Sequence, residues 1–188
     1  MFLFPYKKKI NSRKIDLLIG KDINTDLDFL LKTCKELLPK FDQQLIKKAF
    51  LWTIEAHKDK KRKSGDPSYT HPLAIAHIVI NEMPLDDISV ACALLHDVVN
   101  ESNIYTINDI ASEFGATIAE IVDSILKIHN IESREIVHLE NYRKLLLSLF
   151  KDVRIILIKL ADRLHSMRTL EFLNPEEQIK IASETLEI

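Results

Sequence analysis

The chain has 188 residues, which is enough for one domain with a substantial core. Its hydrophobic fraction of 46% and charged fraction of 29% are typical of a globular protein. It contains only 3 glycines, which disfavours phosphate-cradling loops and turn-rich all-β folds. The formal net charge of −2 argues against broad, non-specific binding to nucleic acid, so no direct nucleic-acid partner is expected.

The cysteines and the apolar segments bear on the cellular compartment. Cys34 and Cys92 lie far apart, and Cys92 sits in an apolar run that is more typical of a core residue than of a disulfide partner. No apolar stretch reaches the roughly 18 residues of a membrane span, so no membrane partner is expected. The first residues lack the basic-then-apolar order of a signal peptide. We therefore expect a cytoplasmic protein in which residues 1–25 form an N-terminal arm with no assigned role.

Apolar residues at three-and-four spacing predict helices in the first half of the chain. Proline favours the first helical position, and a Ser-Gly-Asp-Pro run marks a loop. The predicted elements are a helix over Asp26–Leu38, a helix from Asp42 to about His57, a loop over Lys58–Thr70, and a helix that starts at His71-Pro72 and ends at Pro84.

The second half of the chain carries the same helical pattern. Its predicted elements are a helix opening at Asp86-Asp87, a short helix over Thr106–Gly115, a helix over Ala116–Ile128, a polar connector over Asn130–Val137, an amphipathic helix over Leu139–Phe150, a long helix over Asp152–Leu170, and a last helix capped at Asn174. Composition alone would also allow a strand over Val153–Ile158, but no partner strand is apparent. The pattern predicts an all-α fold in which residues 26–188 form one domain.

His96 and Asp97 lie side by side within the apolar helical run Ala91–Val99. A buried carboxylate usually has a charged partner or a metal, because leaving it alone is costly. Asn100 and Glu101 follow one helical turn later and are candidates to orient or deprotonate an attacking water. For an isolated His-Asp pair, a polar helix end that leaves the core is the more common explanation.

Asp162 and His71 are the other candidate ligands. Asp162 follows an apolar section of the long predicted helix, and a salt bridge to Arg163, Arg168 or a lysine on another helix is its alternative role. His71 lies at a predicted helix start, where a capping role is equally compatible with the local sequence. Two imidazole nitrogens and two carboxylate oxygens suit Mn²⁺, Fe²⁺ or Zn²⁺.

Basic residues precede this candidate site. Lys58–Lys63 holds five cations in six residues, and such a run is usually a solvated loop. Here it leads into His71, which would favour a polyanionic small molecule. Arg168 could bind a phosphate through two hydrogen bonds. The remaining histidines are interpreted as follows: His77 as a core residue, His165 as a donor to the site or a surface residue, and His57, His129 and His138 as surface or structural residues.

Three segments, Arg62–Pro72, Ala93–Val99 and Ile158–Leu170, resemble the N-terminal HD hydrolase domain of the RelA/SpoT family. They occur in the family's order and at close to its spacing, and the resemblance covers roughly Leu45 to the end of the chain. It implies an all-α, HD-type helical bundle that binds one Mn²⁺, in preference to Fe²⁺ or Zn²⁺. The implied activity is hydrolysis of the 3′-pyrophosphate of the guanine alarmones ppGpp and pppGpp, giving GDP or GTP and pyrophosphate.

The resemblance also implies roles for individual residues. The implied metal ligands are His71, His96, Asp97 and Asp162. The implied substrate-binding residues are Arg62, which would pack on the guanine base, Lys63 and Ser64, which flank it, and Ser166, Arg168 and Thr169, which would lie near the nucleotide.

Two departures from the family pattern bear on activity. Asn100 and Glu101 replace a Glu-Asp pair, and Ser166 replaces an asparagine. An asparagine cannot take a proton, so hydrolysis is expected to be weakened. Two further hypotheses follow: a catalytically impaired, nucleotide-binding regulatory domain, or an HD phosphohydrolase for another nucleotide.

The final segment, Ser183–Ile188, resembles the start of the linker that leads to a synthetase domain in long RelA/SpoT proteins. We therefore expect an excised N-terminal domain of a longer synthetase and hydrolase, in preference to a small stand-alone hydrolase.

Overall fold

The computed structural model describes residues 18–83, 85–132 and 152–186. Within these ranges the chain is helical and has no β-strand, with one isolated antiparallel bridge between Lys61 and Pro67. The predicted all-α bundle is therefore confirmed. The helices are α1 (Ile23–Leu37), α2 (Gln43–Ala56), α3 (Thr70–Glu82), α4 (Asp87–Leu95), α5 (Val98–Glu101), α6 (Ile107–Phe114), α7 (Ala116–Glu132), α8 (Val153–Arg168) and α9 (Pro175–Leu186), with a 3₁₀ turn at Leu170–Phe172.

Helix α1 begins three residues earlier than the apolar spacing predicts. Asp22 caps it, because its side chain accepts a hydrogen bond from the Thr25 N–H at 2.8 Å. Asp26, the predicted start, is instead buried inside the first turn. Its Oδ2 accepts hydrogen bonds from the Gly20 N–H at 2.9 Å and from the Tyr69 hydroxyl at 2.8 Å. These bonds tie the segment before α1 to the start of α3.

Other predictions concern individual segments of the chain. The alternative strand at Val153–Ile158 is wrong, since these residues form the start of α8. The predicted connector at Asn130–Val137 begins too early, because α7 continues to Glu132. The rest of that connector and the predicted helix over Leu139–Phe150 lie outside the described residues, as do residues 1–17 of the predicted arm.

Helices α3 and α4 form the centre of the bundle. Every residue from position 72 to 81 in α3 and from 89 to 95 in α4 is buried. The two helices pack on each other, α2 packs on α4, and α8 packs on α3. A helix that is apolar on all sides must be covered on all sides, so the polar ends of α3 and α4 are the parts that can reach a site.

Helix α4 is fixed at both ends. At its start, Asp86 caps the helix by accepting from the Ser89 N–H at 2.9 Å, and Arg154 of α8 lies 3.0 Å from the same carboxylate. At its end, the Thr53 hydroxyl of α2 donates to the Leu94 carbonyl at 2.7 Å. The residues that follow Leu94 therefore leave α4 at a fixed position.

The core also contains both cysteines, Cys34 and Cys92, as buried free thiols. The interpretation of Cys92 as a core residue is confirmed. Across the described ranges, none of the helices combines the length and the apolar character needed to cross a membrane.

Shortening Leu94 is expected to destabilise the fold. The side chain is fully buried, so Leu94→Ala should lower the free energy of unfolding by about 3 kcal/mol through lost burial and a cavity. Urea unfolding followed by circular dichroism measures this. Leu51→Ala is the matched control, since Leu51 is 57% exposed and should change the value by less than about 0.5 kcal/mol. Equal losses for the two variants would contradict the described core.

Candidate metal centre

The structure brings the four predicted ligands together from three helices. His71 lies in the first turn of α3, His96 and Asp97 lie between α4 and α5, and Asp162 lies in α8. One donor atom from each of His71, His96 and Asp97 lies within 4.8 Å of the other two. Asp162 adjoins this group, with its Oδ1 3.3 Å from His71 Nε2. Their roles as ligands remain a prediction that this geometry supports.

A break in the helix places His96 and Asp97 at the site. Helix α4 ends at Leu95, and Asp97 leaves the helical conformation with φ −121° and ψ −1° before α5 begins. The His96 ring is buried, and its Nδ1 lies 2.9 Å from the Ala93 carbonyl. A carbonyl only accepts hydrogen bonds, so Nδ1 carries the hydrogen and Nε2 presents its lone pair to the site.

Asp97 has one carboxylate oxygen that is engaged and one that is not. Its Oδ2 lies 3.2 Å from His57 Nε2 and 3.7 Å from His96 Nε2. Burial raises the pKa of Asp97, but the nearby His96 and the hydrogen bond from His57 outweigh it and lower the pKa to about 2. Oδ1 is buried and has no hydrogen-bond partner. A buried carboxylate oxygen with no donor fits a cation.

His71 and Asp162 form the other half of the centre. Burial lowers the pKa of His71 to about 4 despite the neighbouring Asp162, so the imidazole is neutral and able to ligate at neutral pH. Burial acts to raise the pKa of Asp162, but the hydrogen bond from His71 and the charge of Lys159 hold it well below its usual range. Lys159 Nζ lies 3.2 Å from Asp162 Oδ2, so Asp162 forms a salt bridge with a lysine of its own helix, a partner that was not among those considered.

The capping role considered for His71 is wrong. Helix α3 begins at Thr70, and the capping position belongs to Tyr69, which makes no side-chain capping bond. His71 Nδ1 instead lies 2.9 Å from the Nδ1 of His165. His165 is 3% exposed, so its alternative role as a surface residue is also wrong. Two imidazoles and two carboxylates with low pKa values form a donor set that fits a divalent cation.

The predicted catalytic residues line the same cavity as the four ligands. Asn100 and Glu101 lie on its wall, and the cavity measures about 390 Å³. Lys60 Nζ contacts the Glu101 backbone carbonyl and lies 2.9 Å from the Glu101 carboxylate. The carboxylate of Glu101, one of the two predicted catalytic residues, is thus held by a lysine of the basic run.

The basic run is a largely exposed loop, as expected, and it also contacts other elements. Besides Lys60, two of its cations contact other helices: Arg62 lies 3.5 Å from the Thr169 hydroxyl, and Lys63 pairs with Glu177 of α9 at 3.0 Å. The loop is thereby connected to α5, to the end of α8 and to α9.

Five of the six predicted substrate-binding residues are divided between two cavities, and Lys63 lines neither of these. Ser166 lines the cavity of the metal centre. Arg62, Ser64, Arg168 and Thr169 line a second cavity of about 850 Å³. His165 also lines the second cavity, so the contact between His71 and His165 joins the two sites. Arg168 is paired with Glu82 at 3.1 Å.

Several residues of the site are not among the sequence predictions. Lys159, Arg163, Lys180 and Glu184 line the metal cavity, and Arg163 pairs with Glu184 at 3.1 Å. His57 contacts Asp97, although a surface position was considered for it. Its spacing from Ala49, Phe50 and Thr53 on the buried face of α2 is the signal that could have indicated its burial. His77 is fully buried and stacks on Phe29 at 4.8 Å, as predicted for a core histidine.

Comparison with known proteins identifies this arrangement. The HD domain family matches residues 49–188, which include every predicted ligand. The chain belongs to the HD domain family. The HD domain described here thus has its His-Asp pair at the break between α4 and α5.

The relatives of this HD domain include proteins named GTP pyrophosphokinase and guanosine-3′,5′-bis(diphosphate) 3′-pyrophosphohydrolase. The chain is 38% identical over 161 residues to the GTP pyrophosphokinase rsh of Brucella melitensis, covering 85% of this chain and 21% of that protein. It is 46% identical over 136 residues to the guanosine-3′,5′-bis(diphosphate) 3′-pyrophosphohydrolase of Haemophilus influenzae, covering 71% and 20%. For the probable GTP pyrophosphokinase of Mycobacterium leprae, the identity is 38% over 166 residues, covering 88% and 21%.

These relatives confirm the resemblance to the RelA/SpoT family. The chain spans about a fifth of the length of the curated relatives it matches.

Replacing Asp162 tests the ligand set. Asp162→Asn keeps the shape but removes the charge that faces His71, so it should weaken Mn²⁺ binding by more than the roughly 10- to 100-fold typical of residues that only contact a ligand. Isothermal titration of the metal-stripped chain with Mn²⁺ measures the affinity. Asp123→Asn is the matched control, because Asp123 pairs with Lys127 on the surface of α7. Unchanged affinity for Asp162→Asn would remove Asp162 from the ligand set.

Proposed function

We propose that this HD domain hydrolyses the 3′-pyrophosphate of ppGpp and pppGpp, giving GDP or GTP and pyrophosphate, with one bound Mn²⁺. The observation that carries the proposal is the meeting of His71, His96, Asp97 and Asp162 at a cavity that also contains Glu101. The relative from Haemophilus influenzae, named for this reaction, supports the choice of substrate.

The four ligands would hold the ion through two imidazole nitrogens and two carboxylate oxygens. A bound divalent ion would lower the pKa of a water molecule and polarise a phosphoryl oxygen. Within the chain, Glu101 lines the cavity and would orient the attacking water and accept its proton. The water oxygen bonds to the phosphorus attached to O3′, the bond between that phosphorus and O3′ breaks, and O3′ takes up a proton.

Cations on the wall of the cavity support a pyrophosphate as the leaving group. Lys159, Arg163 and Lys180 line it, and each is a donor for phosphate oxygens. Lys159 and Arg163 are held by Asp162 and Glu184, so their positions are set before a substrate arrives. This preorganisation reduces the entropic cost of binding a polyanion.

The second cavity supports a nucleoside as the rest of the substrate. Arg62 can stack on a planar base through its guanidinium, and Ser64 and Thr169 offer hydroxyls for hydrogen bonds. The contact between His71 and His165 connects this cavity to the metal centre. A nucleotide with its base in the second cavity and its 3′-pyrophosphate in the first would use both.

A second function is favoured by one observation. Asn100 cannot act as a base, and the Glu101 carboxylate is held by Lys60, so the chain retains the binding residues more completely than the catalytic ones. It would then serve as a nucleotide-binding regulatory domain, and the attached synthetase domain expected from the sequence would be the element it regulates.

The cytoplasmic location stays a prediction.

An activity assay separates these functions. The purified chain with ppGpp and Mn²⁺ should release pyrophosphate slowly, and Asn100→Glu should raise the rate about 100-fold by restoring a general base. Pyrophosphate release and nucleotide products are measured by ion-exchange chromatography. Asn103→Glu is the matched control, since it adds the same charge at an exposed position three residues later and should leave the rate unchanged.

Two outcomes would redirect the assignment. Binding of ppGpp without pyrophosphate release, at high protein concentration, would favour the regulatory function. Release of phosphate from other nucleotides with ppGpp ignored would assign a different substrate to the same metal centre.

A further inference from the structure

His57 is buried next to the metal centre but is not one of its predicted ligands. It follows the last residue of α2 and is 3% exposed. Buried polar groups are almost always hydrogen-bonded, so the partners of its two ring nitrogens indicate what the ring does.

Both nitrogens of His57 have defined partners. Nδ1 lies 2.8 Å from the Thr53 carbonyl, one turn earlier in α2, and Nε2 lies 3.2 Å from Asp97 Oδ2. A carbonyl and a carboxylate oxygen both accept, so each nitrogen donates. The ring is thereby held by its own helix on one side and holds a predicted metal ligand on the other.

The contact with His57 distinguishes the two oxygens of Asp97. Oδ2 accepts from His57, whereas Oδ1 is buried without a hydrogen-bond partner. A carboxylate with one oxygen engaged can no longer rotate freely, so its other oxygen has a fixed direction. Partners of this kind orient metal ligands, and their loss typically lowers metal affinity by roughly 10- to 100-fold.

Helix α2 contacts the ligand-bearing segment at two successive turns. The Thr53 hydroxyl donates to the Leu94 carbonyl, which fixes the backbone just before His96. His57, four residues later, reaches the Asp97 side chain. Both contacts come from the last two turns of α2, but only the second touches a group that would bind the ion.

We propose that His57 is a positioning residue of the metal centre, which orients Asp97 so that its free oxygen faces the bound ion. The proposal rests on the proposed role of Asp97 as a metal ligand. A purely structural role, in which His57 only fills the end of α2, is the alternative that the test must exclude.

Two amide substitutions separate these roles. An asparagine at position 57 can reach the Thr53 carbonyl but is too short for Asp97, whereas a glutamine can place an N–H near the position of Nε2. His57→Asn should lower Mn²⁺ affinity by about 10- to 100-fold, and His57→Gln should recover most of the loss. The affinity is measured by isothermal titration of the metal-stripped full chain without nucleotide, so the result does not depend on activity.

Thr33→Val is the matched control. It removes a buried hydroxyl hydrogen bond to the Phe29 carbonyl within α1, and Thr33 does not line the metal cavity, so it should lower the free energy of unfolding while leaving Mn²⁺ affinity unchanged. Urea unfolding in EDTA gives the stability of every variant.

The outcomes distinguish this inference from the proposed function. If the unmodified chain fails to bind Mn²⁺, the proposed metal centre fails and this inference with it. If the unmodified chain binds Mn²⁺ and His57→Asn binds it equally well, the positioning role alone is overturned. Losses of affinity in His57→Asn and Thr33→Val that follow only their losses of stability would also overturn it.

Discussion

Two carboxylates withdrawn from water, Asp97 and Asp162, are the constraint on which the rest of the site depends. Each would be costly to bury alone, because the protein interior solvates charge poorly. Histidines at the end of α2, in α3 and at the end of α4 contact these carboxylates, and Lys159, one turn before Asp162, pairs with Asp162. The compensation is incomplete at Asp97 Oδ1, which is buried without a hydrogen-bond partner and is the oxygen proposed to face a cation.

The bundle brings these groups together through the same burial that stabilises it. Helices α3 and α4 are covered on all sides, so their buried side chains are mostly apolar, and apart from the core residue His77 the groups of the candidate site lie at or just beyond their ends. The start of α3 and the end of α4 meet there, and α8 passes beside them. In each helix, the apolar residues that stabilise the bundle thus lie mainly in the middle, and the residues of the candidate site lie at one end.

The sequence predicts most of this bundle because helical periodicity and capping residues are local. Pro72 and Asp86 mark helix starts within one or two residues of those observed. The four candidate ligands could be identified because they lie in segments that resemble one family. The contact of His57 with Asp97 and that of His165 with His71 could not be predicted, because they join residues 40 and 94 positions apart through the packing of whole helices. The division of Arg62 and Ser166 between two cavities depends on the same packing.

The break between α4 and α5 has a consequence for how this site can change. In a continuous helix, successive side chains point about 100° apart, so adjacent residues rarely serve one centre. Here the chain leaves the helical conformation at Asp97, and two neighbours reach the same ion site. Substitutions that favour a continuous helix at this point would strengthen the local backbone while separating the donors. At this turn a continuous helix would separate the predicted ligands, and the native sequence instead keeps them together.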